Sequence, residues 1–535
     1  METYDAIISG YGPTGATLAN LLGTLGMKIA IIDREKGIFD KPRAITADHE
    51  AMRIFQAVGL AEEIAKGTCP HPGTDFLGVE GEVIKRFYPM PPPGPLGWEP
   101  TFMFYQPTLE AILRDGVKRF AHASVFLEHT LVSHQQDADG VTVDLRASDG
   151  TTRVLRGKAL LACDGARSVV RGQLGVPLHD LAFDEWWVVV DATLKANISL
   201  PERCVQYCRP SRPGTYIVGP DTLRRWEIKV MPGESPEAFN DPAHLDKVLS
   251  TFVDTSGLDV KRVAIYRFHA VVAEQWRDRR VFLLGDAAHQ MPPFLGQGLG
   301  AGVRDAYNLA WKLHAVLSGR ANDTLLDTYC AERRPHVQTV VEHAKSFGLI
   351  IGELDESAAR ERDKRMRAEL LAGSVPTSRQ AFIPSLSAGL ITIGEDGPLN
   401  SAGQLFPQPW VSSKGGEEIR LDDLVRSDFY IVCADVVTSE SARCSLAAHP
   451  NLAGVKVVCL DGQASQGILS VAESGALVRE WLTKHNAVSA IVRPDGFAFG
   501  ATSDGERLQH MIADLAERLD PASYEGREIQ VQLAM

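Results

Sequence analysis

The chain has 535 residues, 44% of them hydrophobic and 23% charged, which is long enough for about two to four domains with their own cores. Its net charge of −13 and pI near 5.6 argue against nucleic acid or an anionic membrane as a partner. No apolar run has membrane-spanning length, and the first strand begins too close to the start for a signal peptide, so we expect no membrane association and a cytoplasmic location.

The first predicted unit is a strand, a glycine turn, a helix and a second strand over residues 4–33. Its turn carries Gly10, Gly12 and Gly15 in the pattern G-x-G-x-x-G, which allows a tight turn, close approach of a pyrophosphate and packing of the helix on the strand. Asp33 ends the second strand, where it can accept hydrogen bonds from a ribose and disfavours a 2′-phosphate. The unit predicts a dinucleotide site but does not distinguish FAD from NAD.

The segment after this unit carries two polar candidates. Arg43 follows a proline in a predicted loop, where it faces either a cofactor or solvent. Asp48 directly precedes a predicted helix, so it is either a functional carboxylate or an N-cap. Residues 70–100 are rich in proline and glycine and predict an excursion toward a second domain.

The chain then returns to strands and helices of the first domain. A helix is predicted from Thr108 to Val117, followed by strands over residues 125–127 and 141–145. A buried strand from Ala159 then runs into Asp164, Gly165 and a further helix.

Residues 180–270 show an alternating pattern instead, which predicts an antiparallel sheet. The predicted strands cover residues 186–191, 206–208, 215–218, 225–231 and 263–268. Such a sheet can form one wall of a substrate pocket, or serve as plain scaffold.

A second strong motif follows at the strand over residues 281–284, which ends in Gly285 and Asp286. A glycine-rich loop then opens a long helix, whose N-terminal dipole favours an electron-rich ligand. His289 lies close enough to be a base, but a hydrogen-bonded structural histidine is the better interpretation.

The C-terminal part, from about residue 395, alternates strands and helices and predicts a separate α/β domain. The charged stretch 356–367 before it predicts a solvated helix face. The eight cysteines include no C-x-x-C pair, so neither a zinc site nor a dithiol redox pair is predicted. The spacing of Cys204 and Cys208 suits a β-hairpin region.

Three motifs together resemble the FAD-dependent aromatic hydroxylases of the p-hydroxybenzoate hydroxylase fold. They are the glycine turn at residues 10–15, the Asp164-Gly165 motif with Ser168 and Arg171, and the Gly285-Asp286 motif with the loop at residues 292–298. The likeness is closest to the 3-(3-hydroxyphenyl)propionate hydroxylases, through residues 42–44, 225–227, 231–234 and 325–329.

The resemblance implies a Rossmann-like α/β FAD domain interleaved with an antiparallel β-sheet substrate domain, plus a C-terminal thioredoxin-like domain. We expect the FAD domain at residues 1–75, 101–178 and 275–345, and the substrate domain at 76–100 and 179–274. A helical linker region would cover 346–394, and the thioredoxin-like domain 395–535.

The same resemblance implies which residues hold FAD and which acts on the substrate. Asp48 matches an acidic residue beside the substrate hydroxyl in phenol-hydroxylating relatives, which favours a catalytic base over a simple N-cap. The implied FAD-binding residues are Gly10, Gly12, Pro13, Thr14, Gly15, Asp33, Arg34, Arg43, Gln106, Asp164, Gly165, Gly285, Asp286, Pro293, Gly298 and Leu299.

Two features depart from the family pattern. Gly300 stands where members usually carry Asn, so a side-chain contact near the flavin is missing. The thioredoxin-like appendage lacks a C-x-x-C motif, which leaves it without thiol chemistry and favours a stabilising or interaction role.

The implied reaction is hydride transfer from NADH or NADPH to FAD, formation of a flavin C4a-hydroperoxide with O2, and ortho-hydroxylation of a 3-substituted phenol or phenolic acid. Two alternatives stay open: a hydroxylase or epoxidase of a polyketide or halophenol, and a flavin-bound sensor protein without turnover. No metal is expected, and a homodimer is an expectation from the family alone.

Overall fold

The computed structural model describes residues 2–38, 44–90, 94–195, 198–394, 397–412, 416–425, 428–461 and 465–522. Arg43, predicted to bind the cofactor, lies outside these residues. No helix within the described ranges is both long enough and apolar enough to cross a membrane.

The helices begin and end at the following residues. They are α1 (Pro13–Thr24), α2 (His49–Ala57), α3 (Ala61–Ala65), α4 (Gln106–Val117), α5 (Val169–Leu174), α6 (Pro242–Leu249), α7 (Gly298–Leu317), α8 (Asp327–Gly352), α9 (Glu356–Leu371), α10 (Leu421–Val425), α11 (Val436–Leu446), α12 (Leu477–Lys484) and α13 (Gly505–Leu519).

The strands extend along the chain from Thr3 to Thr502. They are β1 (Thr3–Ser9), β2 (Ile29–Ile32), β3 (Thr46–Asp48), β4 (Thr68–Pro70), β5 (Thr74–Leu77), β6 (Val83–Phe87), β7 (Thr101–Phe104), β8 (Ala123–Phe126), β9 (His129–Gln136), β10 (Val141–Ala147), β11 (Thr152–Ala162), β12 (Leu178–Leu194), β13 (Cys204–Tyr207), β14 (Gly214–Val218), β15 (Leu223–Lys229), β16 (Leu258–Ala273), β17 (Arg277–Asp278), β18 (Val281–Leu283), β19 (His289–Gln290), β20 (Ile393–Gly394), β21 (Gly397–Pro398), β22 (Trp410–Ser412), β23 (Glu418–Arg420), β24 (Tyr430–Cys433), β25 (Lys456–Cys459), β26 (Leu469–Ser470), β27 (Ala472–Ser474), β28 (Ser489–Val492) and β29 (Ala498–Thr502).

The first sheet carries the predicted nucleotide unit. Its main order is β17-β18-β11-β1-β2-β8, and β1 pairs in parallel with both β11 and β2. The strands β1 and β2 are apolar on both faces and buried, as expected for the centre of a parallel sheet. The carboxyl ends of β1, β2, β11 and β18 therefore meet at one edge, where ligands bind in open α/β sheets.

The second sheet has the order β19-β16-β12-β15-β14-β13-β5-β6. The two longest strands, β12 and β16, pair antiparallel, and the short strand β5 joins in parallel beside β13. Apolar side chains of this sheet, including Trp226 on β15, pack against α6 through its residues Val248 and Leu249. One face of the sheet is thereby covered, and the other face borders the cavity described below.

The chain divides into two compact units. The N-terminal unit comprises Met1–Gly94, Trp98–Ala306 and Arg334–Pro384, and the C-terminal unit comprises Pro95–Gly97, Tyr307–Arg333 and Ser385–Met535. The first and second sheets both lie in the N-terminal unit. Residues 307–333, predicted within the FAD domain, belong to the C-terminal unit because Trp311, Leu325 and their neighbours pack into its hydrophobic core. The predicted linker region 346–394 contains the end of α8 and the whole of α9 and is divided between the units.

The C-terminal unit contains a five-stranded sheet of order β26-β25-β24-β28-β29. The strand β24 is parallel to β25 and antiparallel to β28, which in turn is antiparallel to β29. Buried side chains cover both faces of this sheet, from helices α11 and α13 on one side and α12 on the other. The general expectation of α/β and antiparallel layers is thus confirmed.

Candidate active site

A cavity of about 1270 Å³ lies in the N-terminal unit, between the carboxyl edge of the first sheet and the free face of the second. This volume exceeds the ~300–1,000 Å³ common for one small-molecule site. One wall carries the glycine turn and the strand ends of the first sheet, and the other carries polar and aromatic side chains of β12 to β16. The cavity is therefore large enough for a dinucleotide and a second small ligand.

The N-terminus of α1 opens onto the cavity without a side-chain cap. Gly12 is the N-cap residue, no side chain accepts the free backbone N–H groups there, and Pro13 occupies the first turn. A Cβ built on Gly12 would meet no protein atom within 4 Å. Free N–H groups at a helix N-terminus bind anions, and a pyrophosphate suits this position.

The outer glycines of the turn, Gly10 and Gly15, are needed for close packing of the backbone. A Cβ on Gly15 would lie 2.0 Å from the Gly10 carbonyl oxygen, and one on Gly10 would lie 2.2 Å from that of Cys163. Gly10 also has a positive φ of 100°, which side-chain-bearing residues rarely adopt. These two glycines let α1 and β11 approach the turn closely.

Asp33 stands at the end of β2, as predicted for a ribose contact. Its Oδ2 accepts a hydrogen bond of 2.8 Å from the Tyr11 backbone N–H, and Arg114 Nη2 lies 3.6 Å away. Arg114 also pairs with Glu110 at 2.9 Å and lies over the Tyr11 ring. Its Nε is buried and has no hydrogen-bond partner among the described residues. The sequence reasoning missed Arg114, which lines the cavity from α4.

Asp164 follows β11 and lines the cavity, and its two carboxylate oxygens differ in their partners. Oδ2 accepts hydrogen bonds from the backbone N–H groups of Val169 and Val170 at the start of α5. Oδ1 is buried and has no partner among the described residues. Burial raises the pKa of this carboxyl group against the opposing hydrogen bonds. An acceptor without a donor at this point suits a ligand hydroxyl or N–H group.

Most of the predicted cofactor-binding residues line this cavity, and a few do not. Gly15 and Gly285 lie behind its wall, where Gly285 has a positive φ and a Cβ on it would come within 2.8 Å of Thr14 Oγ1. The predicted residues on the wall are Gly10, Gly12, Pro13, Thr14, Asp33, Arg34, Gln106, Asp164, Gly165, Asp286, Pro293, Gly298 and Leu299.

Asp48, predicted as the catalytic base, does not lie on the cavity wall formed by the described residues. It is the N-cap of α2, accepting a hydrogen bond from Ala51 N, and it forms a buried ion pair with Arg304. Burial alone would raise the pKa of Asp48, but Arg304, His49 and the hydrogen bonds from Ala51 and Arg304 together outweigh it and hold the pKa below its usual value. The N-cap interpretation is confirmed, and the role of Asp48 as a base stays a prediction.

Arg304 also explains why residue 300 is glycine rather than the asparagine usual at this position. Its guanidinium group binds Asp48, Glu50 and Gln297, and all four side chains are buried. A Cβ on Gly300 would lie 2.9 Å from Arg304 Nη1. Because the guanidinium group is held by three partners, it has little freedom to move away, and glycine leaves it room.

His289 is hydrogen-bonded, as the preferred interpretation expects, and it also lines the cavity. Its Nε2 lies 2.7 Å from Asp305 Oδ2, and its ring stacks on Trp276 at 5.3 Å. Both His289 and Asp305 are buried. The pair fastens the loop after β18 to α7.

The second wall presents a polar row across neighbouring strands. Gln206, Thr215 and Glu227 pair laterally on β13, β14 and β15, and the Thr215 hydroxyl donates to Gln206 Oε1 at 2.6 Å. Glu227 is buried, lines the cavity and accepts no hydrogen bond from a described residue. Its nearest cation is Arg225, whose Nη1 lies 4.0 Å away.

Burial raises the pKa of Glu227 to about 7, against the attraction of Arg225. Arg225 cannot neutralise Glu227 fully, because it is bound to Asp191 at 2.6 Å and Asp191 is also bound by Arg262 at 2.8 Å. A carboxyl group of this kind exchanges a proton near neutral pH, as a general base requires. The sequence reasoning noted residues 225–227 but gave Glu227 no role.

These features together fit FAD. The uncapped α1 N-terminus suits the pyrophosphate, Asp33 the adenosine ribose, and the unpartnered Arg114 Nε and Asp164 Oδ1 supply a donor and an acceptor for further ligand groups. A dinucleotide along the first wall would leave the second wall for an aromatic ligand, since Trp186, Tyr266 and Phe268 line it.

Comparison with protein families assigns most of the chain. Residues 3–344 match the family model described as FAD binding domain, and residues 403–518 match the model described as HcaD C-terminal domain.

Two curated relatives cover nearly the whole chain. A probable NADH-specific resorcinol 4-hydroxylase of Rhodococcus jostii (strain RHA1) is 35% identical over 527 residues, covering 97% of this chain and 96% of the relative. A 3-(3-hydroxy-phenyl)propionate/3-hydroxycinnamic acid hydroxylase of Klebsiella pneumoniae (strain 342) is 30% identical over 550 residues, covering 100% of this chain and 98% of the relative.

Two solved structures share the fold. The flavin-dependent monooxygenase PieE, in complex with FAD and substrate, matches with a TM-score of 0.78 and 21% identity, covering 96% of this chain and 99% of its own. Aklavinone-11 hydroxylase, with FAD and aklavinone, matches with a TM-score of 0.76 and 23% identity, covering 97% and 100%.

Proposed function

Because this chain belongs to the family of FAD-dependent aromatic hydroxylases, we propose that it uses NADH or NADPH and O2 to hydroxylate a 3-substituted phenol ortho to its hydroxyl group. The observation that carries the proposal is a cavity with a dinucleotide wall on one side and a wall of aromatic and titratable side chains on the other. The two relatives named above are themselves hydroxylases of phenolic compounds.

The residues that would hold FAD are those of the first wall. The α1 N-terminus at Gly12 and Pro13 would receive the pyrophosphate, Asp33 the ribose, and Asp164 and Asp286 groups nearer the flavin. Bound FAD would supply electron exchange with the nicotinamide and activation of O2. The chain supplies binding, orientation and exclusion of water.

We further propose that Glu227, rather than Asp48, accepts the proton of the phenol hydroxyl. Its carboxylate is on the cavity wall without a hydrogen bond from the described residues, whereas Asp48 is neutralised by Arg304 away from that wall. A phenolate ring is more electron-rich than a phenol and is attacked more readily. General-base assistance of this kind contributes about 10²- to 10⁴-fold to a rate.

We also propose a thioredoxin-like fold for the C-terminal unit. Its strands β24, β25, β28 and β29 and helices α11, α12 and α13 alternate in the order β-α-β-α-β-β-α, with one parallel pair and two antiparallel pairs. Its thiols Cys433 and Cys459 are buried, and burial raises the pKa of Cys433 well above its usual value. A stabilising or interaction role fits these buried thiols, and Cys444 of this unit, which is exposed, has no second cysteine in a C-x-x-C motif with it.

The test is turnover by the purified flavoprotein on a panel of 3-substituted phenols under ¹⁸O2. We expect substrate-stimulated NAD(P)H oxidation and a product that gains one ¹⁸O atom next to the existing hydroxyl group. Formation of hydrogen peroxide without an oxygenated product from any phenol would contradict the hydroxylase function. Oxygen incorporation only into a polyketide or halophenol would favour that alternative.

The role of Glu227 is tested separately with Glu227→Gln. We expect the wild-type rate to fall as the pH drops below about 7, and we expect this limb of the profile to disappear in the variant, whose overall rate is about 10²- to 10⁴-fold lower. An unchanged profile in Glu227→Gln would assign the proton transfer to another group.

A further inference from the structure

Arg379 lines the cavity from a short turn after α9 and contributes a positive charge to the second wall. Its Nη2 donates a hydrogen bond of 2.9 Å to Thr74 Oγ1 on β5, and its Nη1 lies 3.5 Å from the Leu295 carbonyl oxygen. Its Nε is buried and finds no hydrogen-bond partner in the described part of the chain. Both contacts are to neutral groups, so the charge itself is not compensated.

Two other arginines of the cavity differ in this respect, whereas Arg171, on the first wall, also contacts only carbonyl oxygens. Arg225 is bound to Asp191, and Arg114 is bound to Glu110. No carboxylate of the described residues forms an ion pair with Arg379. Arg379 is partly buried, and the desolvation of a cation without a counterion is relieved when an anion binds to it, so its position in the cavity wall suits an anionic ligand.

The neighbours of Arg379 do not supply the missing negative charge. His71 is buried beside it, and burial together with Arg379 and Arg203 holds the pKa of His71 well below its usual value, so the ring is neutral. Arg203 is bound to Asp75. Cys204, the other nearby titratable group, is a thiol whose pKa is raised by burial.

We propose that Arg379 binds the carboxylate of the substrate, so that the preferred substrates are phenolic acids rather than neutral phenols. This inference rests on the proposed hydroxylase function and names its substrate class. The planar guanidinium group matches a carboxylate with two parallel hydrogen bonds. The two curated relatives differ in this feature, since resorcinol carries no carboxylate and hydroxyphenylpropionate does.

The polar row of the second sheet also indicates where the carboxylate lies on the substrate. Thr74, which holds Arg379, and Glu227 lie on β5 and β15, which are separated by β13 and β14. Three strand spacings amount to about 14 Å between the backbones. This spacing favours an acid group on a side chain over one directly on the ring for a phenol with its hydroxyl at Glu227 and its carboxylate at Arg379.

The competing role for Arg379 is a contact with the flavin. A Cβ on Gly296 would lie 3.2 Å from Arg379 Nη1, which places the guanidinium group beside the glycine loop before α7. A flavin contact would affect the cofactor whatever the substrate, whereas a carboxylate contact would affect acidic substrates alone. The two roles are therefore separable by experiment.

The experiment compares 3-(3-hydroxyphenyl)propionate with its uncharged amide and with 3-hydroxybenzoate, using the holoenzyme. We expect the wild type to prefer the propionate to both. In Arg379→Gln, kcat/KM and the affinity measured from the change in flavin absorbance should fall about 10- to 100-fold for the propionate and change little for the amide. Arg379→Lys should recover part of the loss because it keeps the charge.

The control variant is Arg360→Gln on the exposed face of α9, which makes the same charge change away from the cavity. It should change neither kcat/KM nor affinity for the propionate or the amide. Equal losses for propionate and amide, or an altered flavin spectrum without substrate, would assign Arg379 to the flavin and overturn the proposal. A wild type that hydroxylates neutral phenols without preferring the acid overturns only the Arg379 proposal. Hydroxylation of no phenol would overturn the function itself.

Discussion

The carboxyl group of Glu227 is held in the cavity at a cost to the folded state. Its pKa of about 7 lies above the ordinary value of 4.5, because burial disfavours the charged form. Between pH 4.5 and 7 the folded protein binds more protons at this site than the unfolded chain, so stability falls as the pH rises through this window. Above pH 7 Glu227 is ionised in the folded protein as well, and its full destabilising effect is present.

Glu227→Gln should therefore stabilise the protein at pH 8, by at most about 3 kcal/mol, while impairing turnover. The gain should shrink as the pH falls and vanish below about pH 4.5, where both side chains are neutral. Urea unfolding of wild type and variant at several pH values measures it. A variant that is less stable than wild type at pH 8 would show that the carboxylate has favourable partners in the folded state.

Asp48 is expected to serve stability rather than proton transfer. Asp48→Asn keeps an N-cap residue but removes the charge opposite buried Arg304, so the free energy of unfolding should fall by about 1.5–3 kcal/mol. Turnover per folded molecule should keep its pH profile. Asp115→Asn, which removes an exposed partner of Lys118, is the control and should change stability little. Loss of turnover with unchanged stability would restore Asp48 as the base.

The carboxylate side chains predicted to bind the cofactor could be located from the sequence better than the residues on the substrate side of the cavity, for a physical reason. Asp33 and Asp164 follow apolar strands and lie beside turns, so local patterns identify them. The ion pair of Asp48 could not be foreseen, because its partner Arg304 lies 256 residues away. Arg379 and Glu227 gave no local signal, since one lies in a turn and the role of the other depends on sheet register.

At the level of elements, the uncapped N-terminus of α1 predicts a selective effect on the cofactor. Gly12→Ala adds a Cβ that meets no protein atom, so the apoprotein should remain stable. The same Cβ would occupy space through which the pyrophosphate approaches, so FAD affinity should fall about tenfold or more, equal to about 1.4 kcal/mol. Titration of the apoprotein with FAD measures this affinity.

Gly15→Ala is the matched comparison within the same helix. Its Cβ would lie 2.0 Å from the Gly10 carbonyl oxygen, so the protein itself should be destabilised, whether or not FAD is present. Equal unfolding midpoints of the two apoproteins would contradict this division between a ligand-facing and a packing glycine.

The sequence predicted the type of most elements but underestimated the long strands of the second sheet. Residues 186–191 and 263–268 were predicted as strands, whereas β12 and β16 extend over Leu178–Leu194 and Leu258–Ala273. At one end of β12, His179 and Asp180 are exposed, so the alternation of apolar and polar residues fades there. The two strands continue because their backbones pair with each other.

On the scale of the whole molecule, the division at residue 307 could not be read from the sequence. The helix α7 carries one continuous apolar pattern, and its residues from Tyr307 onward belong to the C-terminal unit. That assignment depends on packing of Trp311 with residues beyond 430 and on the hydrogen bonds that Asn308 and Trp311 donate to Asp495. Contacts across so many residues leave no local signature.

A buried ionic cluster within the C-terminal unit makes this division testable. Glu332 is bound by Lys312 and Arg493, each at 2.7 Å, and Arg493 also binds Asp495 at 2.6 Å. Burial opposes ionisation of Glu332, but the two cations outweigh it and hold its pKa far below the usual value. The four side chains are almost fully buried and carry no net charge together.

Glu332→Gln leaves Lys312 and Arg493 with only Asp495 as a counterion, so the C-terminal unit should lose about 3–5 kcal/mol of stability. The indole Nε1 of Trp311 donates to Asp495 Oδ2, and because the chain has eight tryptophans, the fluorescence change lost in a Trp311→Phe background reports unfolding around this cluster. Asp514→Asn, which breaks a partly exposed pair with Arg518 in the same unit, should cost no more than about 1 kcal/mol. Similar losses in both variants would mean that the buried cluster adds no more than a surface pair, and that apolar packing alone holds residues 307–333 in this unit.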